Sequence, residues 1–304
     1  MAAAKQRHIP VMLQEVLQYM RPQAGETYVD ATFGNGGYSQ ALLENCACKV
    51  IALDRDPNVV IRANEFKNTY GSRFEFRAGC FGDFADLIRE NIHGAVFDIG
   101  VSSMQLDDAE RGFSFAKEAK LDMRMSGEGL SAFDIVNTYT EKNLADLIYQ
   151  YGEEHKSRQI AAKIVDYRRK KYIETTTELA QIIYTVIHRK AGEIDPATRT
   201  FQALRIAVND ELGELQRGLA GAAARLMSNG RLVVVDFHSL EDRIVKNYFK
   251  DNGGKKVRIS KYAPELAESD SLFKEVSKVI TPSAQECAAN PRARSAKLRY
   301  AIRR

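Results

Sequence analysis

The stretch Tyr28-Val29-Asp30-Ala31-Thr32-Phe33-Gly34-Asn35-Gly36-Gly37-Tyr38-Ser39 decides how this chain is read. A short β-prone run ends in an acidic residue, breaks at three glycines, and leads into a helix through Gln40-Ala41-Leu42-Leu43. Strand, glycine turn and helix start, in that order, are the local design of a nucleotide-cofactor site. Glycine suits the turn because, lacking a Cβ, it adopts positive φ and lets the backbone approach a ligand. The next apolar run, Lys49 to Asp54, reads as a second strand. It ends in a carboxylate placed to accept hydrogen bonds from ribose hydroxyls.

The form of the turn separates two cofactor classes. A dinucleotide fingerprint has its third glycine where this chain has Ser39, and it points helix N-terminal amides at a pyrophosphate. Here Asp30 precedes the turn, and a carboxylate is poorly placed beside a pyrophosphate. It suits a cofactor with a cationic amino-acid part, which favours S-adenosylmethionine over a dinucleotide. A tight packing turn with no ligand is the remaining alternative.

Further strands are expected at Arg73–Ala78, Ala95–Ile99 and Arg231–Val235, with a closing strand at Val276–Ile280. Strand and helix units repeating over the first hundred residues predict a parallel, doubly wound α/β sheet. Ligands of such sheets sit at the carboxyl ends of the strands, which gathers Asp30, Asp54 and Asp98 around one crevice. Between them the pattern is helical, at 131–138, 141–150, 153–169 and 175–189, then in one long run through Phe201, Leu204, Val208, Leu212, Leu215 and Leu219. Gly213, Gly218 and Gly221 are candidate interruptions of that run. The reading is therefore one α/β domain (1–109 and 206–304) interrupted by an all-helical insert (110–205). Residues 251–275 read as a polar segment, and residues 290–304 as a basic tail.

Composition bounds the class. The chain has 304 residues, 44% hydrophobic and 28% charged, as in ordinary globular proteins. No apolar run approaches membrane-span length, and no secretory stretch opens the chain. Four scattered cysteines fit a reducing cytoplasm. No cysteine–histidine cluster has metal spacing, so no metal is expected. The net charge of +4 proves no partner. Basic clusters at Arg168–Lys171, at Lys255, Lys256 and Arg258, and along Arg292–Arg304 nonetheless suit a polyanion.

Two further turns carry candidate chemistry. Asp98-Ile99-Gly100-Val101-Ser102-Ser103 follows a strand where a cofactor's transferable group should lie, although Ser102 or Ser103 capping a helix is the plainer alternative. Asp236-Phe237-His238-Ser239-Leu240-Glu241-Asp242 follows the Val-rich strand, with Ser239 and Asp242 at capping-box spacing. His238 is there either packed or substrate-facing. At the start of the long helix, Thr198, Arg199, Gln202 and Arg205 offer donors for RNA or for internal packing.

Together these motifs resemble the bacterial small-subunit ribosomal RNA cytosine N4-methyltransferases, the RsmH or MraW family. The match is carried by His8-Ile9-Pro10-Val11, Asp30 to Ser39, Asp54-Arg55-Asp56-Pro57, Asp98 to Ser103 with Gln105-Leu106-Asp107, Arg111 to Phe115, Leu121 to Met125, Tyr151 to Glu154, Pro196 to Ile206, Phe237 to Lys246 and Asn290 to Arg299. The resemblance implies a class I S-adenosylmethionine-dependent fold with a helical insert for RNA recognition, located in the cytoplasm. The implied substrate is a decoding-centre cytosine of 16S rRNA in the small ribosomal subunit or its late precursor, not DNA or a membrane. By carry-over, Gly36, Gly37 and Tyr38 contact the cofactor beside Gly34, Asp54 holds the ribose, Phe81 lies near the adenine, and Asp98 and Gln105 complete the pocket. Asp98, or the backbone carbonyls of its turn, is the candidate acceptor for the target amine, with Ser102, Ser103 and His238 orienting the base. Tyr38, Met104 and Asp236 depart from the family's usual histidine, proline and serine. Competing readings are a methyltransferase for another amino group, a dinucleotide oxidoreductase, and a non-catalytic rRNA-binding or assembly factor. Monomer and homodimer both remain open.

Overall fold

The computed structural model describes residues 10–102, 105, 108–189, 192–253 and 271–304. The chain divides into two compact units, Met1–Gly100 with Leu212–Arg304, and Val101–Glu211.

The first unit is built on a seven-stranded sheet. Its strands are β1 (Thr27–Asp30), β2 (Lys49–Asp54), β3 (Phe74–Ala78), β4 (Ile92–Asp98), β5 (Leu226–Asp236), β6 (Phe273–Val276) and β7 (Lys297–Arg303). Their spatial order is β3-β2-β1-β4-β5-β7-β6. β1 to β5 are parallel, and β7 runs antiparallel between β5 and β6. This is a doubly wound, Rossmann-like α/β sheet with an antiparallel strand near one edge. The strand order reverses between β1 and β4, which opens a crevice at their carboxyl ends. Val50 to Leu53 and Leu232 to Val235 are each fully buried, because helices cover both faces of a parallel sheet. Register fixes which residues reach the crevice together: Asp30 pairs with Val96, and Asp98 with Val235.

Three expectations change. The closing strand lies earlier, at Phe273–Val276, and Ile280 makes only an isolated bridge to Leu298. The basic tail is largely the strand β7. Leu298 and Ala301 are fully buried, and Arg299 is 8% exposed with its Nε 2.7 Å from Asp242 Oδ1. Lys297 Nζ reaches the same carboxylate at 3.0 Å. These two cations tie the strand to the helix Ser239–Asn252. The long helical run is two helices, Ala197–Asn209 and Glu211–Arg225, divided at Asp210 in the left-handed region (φ 49°). The glycines do not break it. Gly218 and Gly221 instead let the second helix close onto the segment after β3, where an added Cβ would stand 2.8 Å from Phe81 O and 2.9 Å from Ala85 N.

The second unit packs the helices Ala132–Thr138, Glu141–Gly152, Ser157–Arg168, Thr176–Tyr184 and Ala197–Asn209 around Leu144, Ile148, Ile160, Ile164, Ile183 and Leu204. Ser131 and Thr175 start two of these helices with reciprocal caps to Asp134 and Glu178. The unusual aromatic, methionine and arginine stretch belongs to this core. Phe113, Leu121, Met123 and Met125 are buried, and Arg111 holds the carbonyls of Arg124 and Met125 at 3.0 and 2.9 Å. Arg168 is also structural, donating to Val136 O at 2.5 Å and to Tyr139 O. No helix among the described residues is long and apolar enough to cross a membrane.

Candidate active site

The glycine turn is closed by two carboxylates. Asp30, at the end of β1, has no exposed surface. Its Oδ2 accepts from Ser39 N (3.1 Å) and Ser39 Oγ (2.7 Å), and its Oδ1 from Thr32 N (3.3 Å). Ser39, where a dinucleotide site has glycine, is thus the residue that locks Asp30. Asp54, at the end of β2, accepts from Gly34 N at 2.7 Å and from Asp56 N at 2.8 Å. A carboxylate has about four lone-pair sites, so Asp54 keeps acceptor capacity toward the crevice.

Both oxygens of Asp30 are engaged in holding the turn, and its charge reaches the crevice beyond them. The glycines are required by packing as much as by a ligand. An added Cβ at Gly36 (φ 79°) would lie 2.5 Å from the Phe66 ring, and one at Gly37 would overlap the Pro10 ring. Proline at position 10 and the glycine pair are therefore one packed unit.

Asp98, at the end of β4, lies across the crevice. Its N–H donates to Thr32 Oγ1 at 2.8 Å, tying β4 to the turn. Its carboxylate Oδ1 is shielded from solvent and has no hydrogen-bond partner. Tyr38 is near enough for each group to shift the other's ionisation. Its one proton, however, is donated to Val11 O at 2.5 Å, leaving Asp98 without that donor. Burial chiefly, then the charge of Asp30, pushes the Asp98 carboxyl up to about 8. Burial likewise raises Asp30 to about 6, with Asp54 adding to the rise, and burial raises Asp54. A crevice whose acids are held this far toward neutrality favours a cation, which would return them to the charged form.

Phe81 follows β3 as a half-buried ring packed edge-on to Phe97, with centroids 5.7 Å apart. His238 also has a structural position that was not expected. It is itself the N-cap of the helix Ser239–Asn252, its Nδ1 accepting from Glu241 N at 3.4 Å, and Ser239 is not the cap. Glu241 completes the box by accepting from Phe237 N (3.0 Å) and His238 N (3.2 Å). The spacing His238-x-x-Glu241 carried that signal, but histidine is an uncommon cap. Asp236, expected to bring a negative charge to the RNA crevice, is fully buried with neither oxygen hydrogen-bonded. Burial first, then Asp242 and Glu241, push its carboxyl up to about 8, so it is mainly uncharged at neutral pH.

Ser102 and Gln105 fall in the helical unit and bond to one another: Ser102 N donates to Gln105 Oε1 (3.0 Å) and Gln105 N to Ser102 Oγ (3.2 Å). That is a capping box, the plainer reading of this turn. Ser103 and Met104 lie outside the described residues, as do His8, Ile9 and the Lys255–Arg258 cluster. Three of the donors at the start of helix Ala197–Asn209 have internal partners. Gln202 Nε2 donates to Tyr151 O at 3.0 Å, Arg205 makes two bonds to Glu211 at 2.8 and 2.9 Å, and Arg199 Nη1 lies 3.4 Å from Glu153 O. Reasoning from sequence missed Thr32, Val11 and Glu241 as parts of this scaffold.

Similar proteins agree over the whole length. The ribosomal RNA small subunit methyltransferase H of Rickettsia bellii is 56% identical over 301 residues, 98% of this chain and 99% of its own. That of Rickettsia africae is 55% identical over 300 residues, 97% and 98% of the two chains. A solved putative rRNA-methylase from Clostridium thermocellum aligns over 98% of this chain and 100% of its own, with 12% identity and a TM-score of 0.46. The model of the MraW methylase family matches residues 5–304, and the chain belongs to that family.

Proposed function

We propose that this chain transfers a methyl group from S-adenosylmethionine to the exocyclic N4 of a decoding-centre cytosine in small-subunit ribosomal RNA. The observation that carries the mechanism is Asp98 Oδ1, a buried acceptor without a partner where β4 opens into the crevice. The bound methyl donor supplies an electrophilic methyl beside a positive sulfonium. Asp54 suits its ribose hydroxyls, Phe81 its adenine, and the backbone around Gly34 to Tyr38 its amino-acid part.

The amine's lone pair is delocalised into the cytosine ring and attacks poorly while planar. Asp98, once ionised beside the donor's positive charge, accepts an N4–H bond and holds the nitrogen in line. As the new N–C bond forms and the S–CH3 bond breaks, N4 sheds a proton, and Oδ1 is the acceptor at hand. No covalent attack on the ring is needed, so no cysteine takes part. His238 fixes the helix that follows β5, and its role toward the base is positional. The helical unit, Val101–Glu211, reads the RNA of the small subunit or its late precursor, with local unstacking of the target base.

The test is transfer of labelled methyl to small subunits lacking the modification, followed by mapping of the labelled base. One N4-methylcytosine in the decoding centre is expected. Label on another base, or none with active protein, would overturn the assignment.

A further inference from the structure

The helical unit carries an open groove of about 330 Å³ between helices Glu141–Gly152 and Ala197–Asn209. Asn143, Asp146 and Gln150 follow one another at steps of three and four residues along the helix, so they form a single stripe, and Tyr139, in the extended link just before it, closes one end. Tyr151 lies beside this stripe, and Ala207 on the facing helix is small enough to leave the floor open. Both tyrosines pack against the unit's core, which fixes their rings.

The polar groups of the groove are available. Among the described residues, no hydrogen bond engages the side chains of Asn143, Asp146 or Gln150, or the hydroxyls of Tyr139 and Tyr151. The neighbouring donors Gln202 and Arg205 are by contrast bound internally. Two rigid rings, two amides and one carboxylate are the set that reads an unstacked base: rings stack, and the amides and carboxylate meet its edge. Among the described residues no lysine or arginine lines the groove, so its chemistry suits a base better than a phosphate. A carboxylate accepts and cannot donate, and its two oxygens are met best by an exocyclic amine beside a second N–H, as on guanine, while the single ring N–H of uracil meets only one of them.

We infer that this groove is a subsite for one unstacked, amino-bearing base of the substrate RNA, distinct from the base that is methylated. This rests on the RNA-modifying function proposed above and names a recognition element for it. Full-length protein is bound to small subunits lacking the modification and irradiated with ultraviolet light, and its peptides are searched for nucleotide adducts. A base adduct on Tyr139 or Tyr151 is expected. D146N and the surface pair N143A/Q150A should each weaken particle binding about tenfold. Their affinity for S-adenosylhomocysteine and their melting temperatures should match wild type. A207L, which fills the groove, should do the same to binding.

If wild type fails to methylate the particles, the function fails, whatever the adducts show. If wild type methylates them but gives no adduct at either tyrosine and all variants bind normally, the groove inference is overturned. It is also overturned if the variants weaken binding to particles but not to protein-free rRNA, since the groove would then hold a ribosomal protein.

Discussion

Replacing Asp98 with asparagine should abolish a pH dependence of cofactor binding that the crevice builds in. In the free protein the Asp98 carboxyl sits at about 8, raised first by burial and then by Asp30. Placing a cationic donor against Oδ1 requires the carboxylate, so binding below pH 8 must first remove a proton. Each pH unit below the pKa then costs a factor of about ten, or about 1.4 kcal/mol. Wild-type affinity for S-adenosylmethionine should rise roughly fiftyfold from pH 6 to pH 8, about double again by pH 9, and then level off. The D98N protein has no such proton to lose. The donor's own amino group also titrates near pH 8, but equally for both proteins, so the ratio of their affinities is the readout. Calorimetry at pH 6, 7, 8 and 9, in two buffers of different ionisation enthalpy, gives that ratio and the protons released. A wild-type to D98N ratio that stays flat across the range would refute the reasoning. So would a D98N protein that releases the same protons.

Other outcomes follow from the same contacts. Asp236 has a folded-state pKa raised to about 8, well above its unfolded value. Its contribution to stability is therefore full below about pH 4 and lost as pH rises through 8. D236N should flatten a fall in melting temperature between pH 5 and 8 worth at most about 1.4 kcal/mol per unit, and an unchanged slope would contradict the assignment. H238N should restore most of the roughly 1 kcal/mol that H238A loses, because asparagine also caps. If H238N recovers stability but not methyl transfer, His238 touches the base. R299A leaves Asp242 half-paired beside a buried strand and should lower unfolding stability by about 3 kcal/mol in a denaturant titration. Deleting residues 290–304 removes β7 and should abolish cofactor and particle binding together, where a purely phosphate-binding tail would lose only the particle.

The strand ends were legible in the sequence because their signals are local. Val50 to Leu53 and Leu232 to Val235 are β-branched or apolar runs closed by acids, and such runs have few alternatives in an α/β chain. Asp30, Asp54 and Asp98 could be gathered by the strand-end rule without coordinates. What each carboxylate does was not legible. Whether Asp30 faces a ligand or Ser39 depends on side-chain direction after the turn, and only the structure supplies that. The C-terminal strand was hidden by its own charge: Lys297 and Arg299 read as a solvated tail until Asp242, fifty-seven residues before Arg299, is brought beside them. Histidine as a helix cap escaped for a similar reason, since Ser239 offered a commoner cap one residue later.

The central claim is that the ends of β1, β2 and β4 cradle a positively charged methyl donor. It is tested most directly by a crystal structure of the protein with S-adenosylmethionine. The account predicts ribose hydroxyls on Asp54, adenine against Phe81 and the sulfonium methyl directed toward Asp98. A donor bound elsewhere, or with its methyl turned away from Asp98, would contradict it.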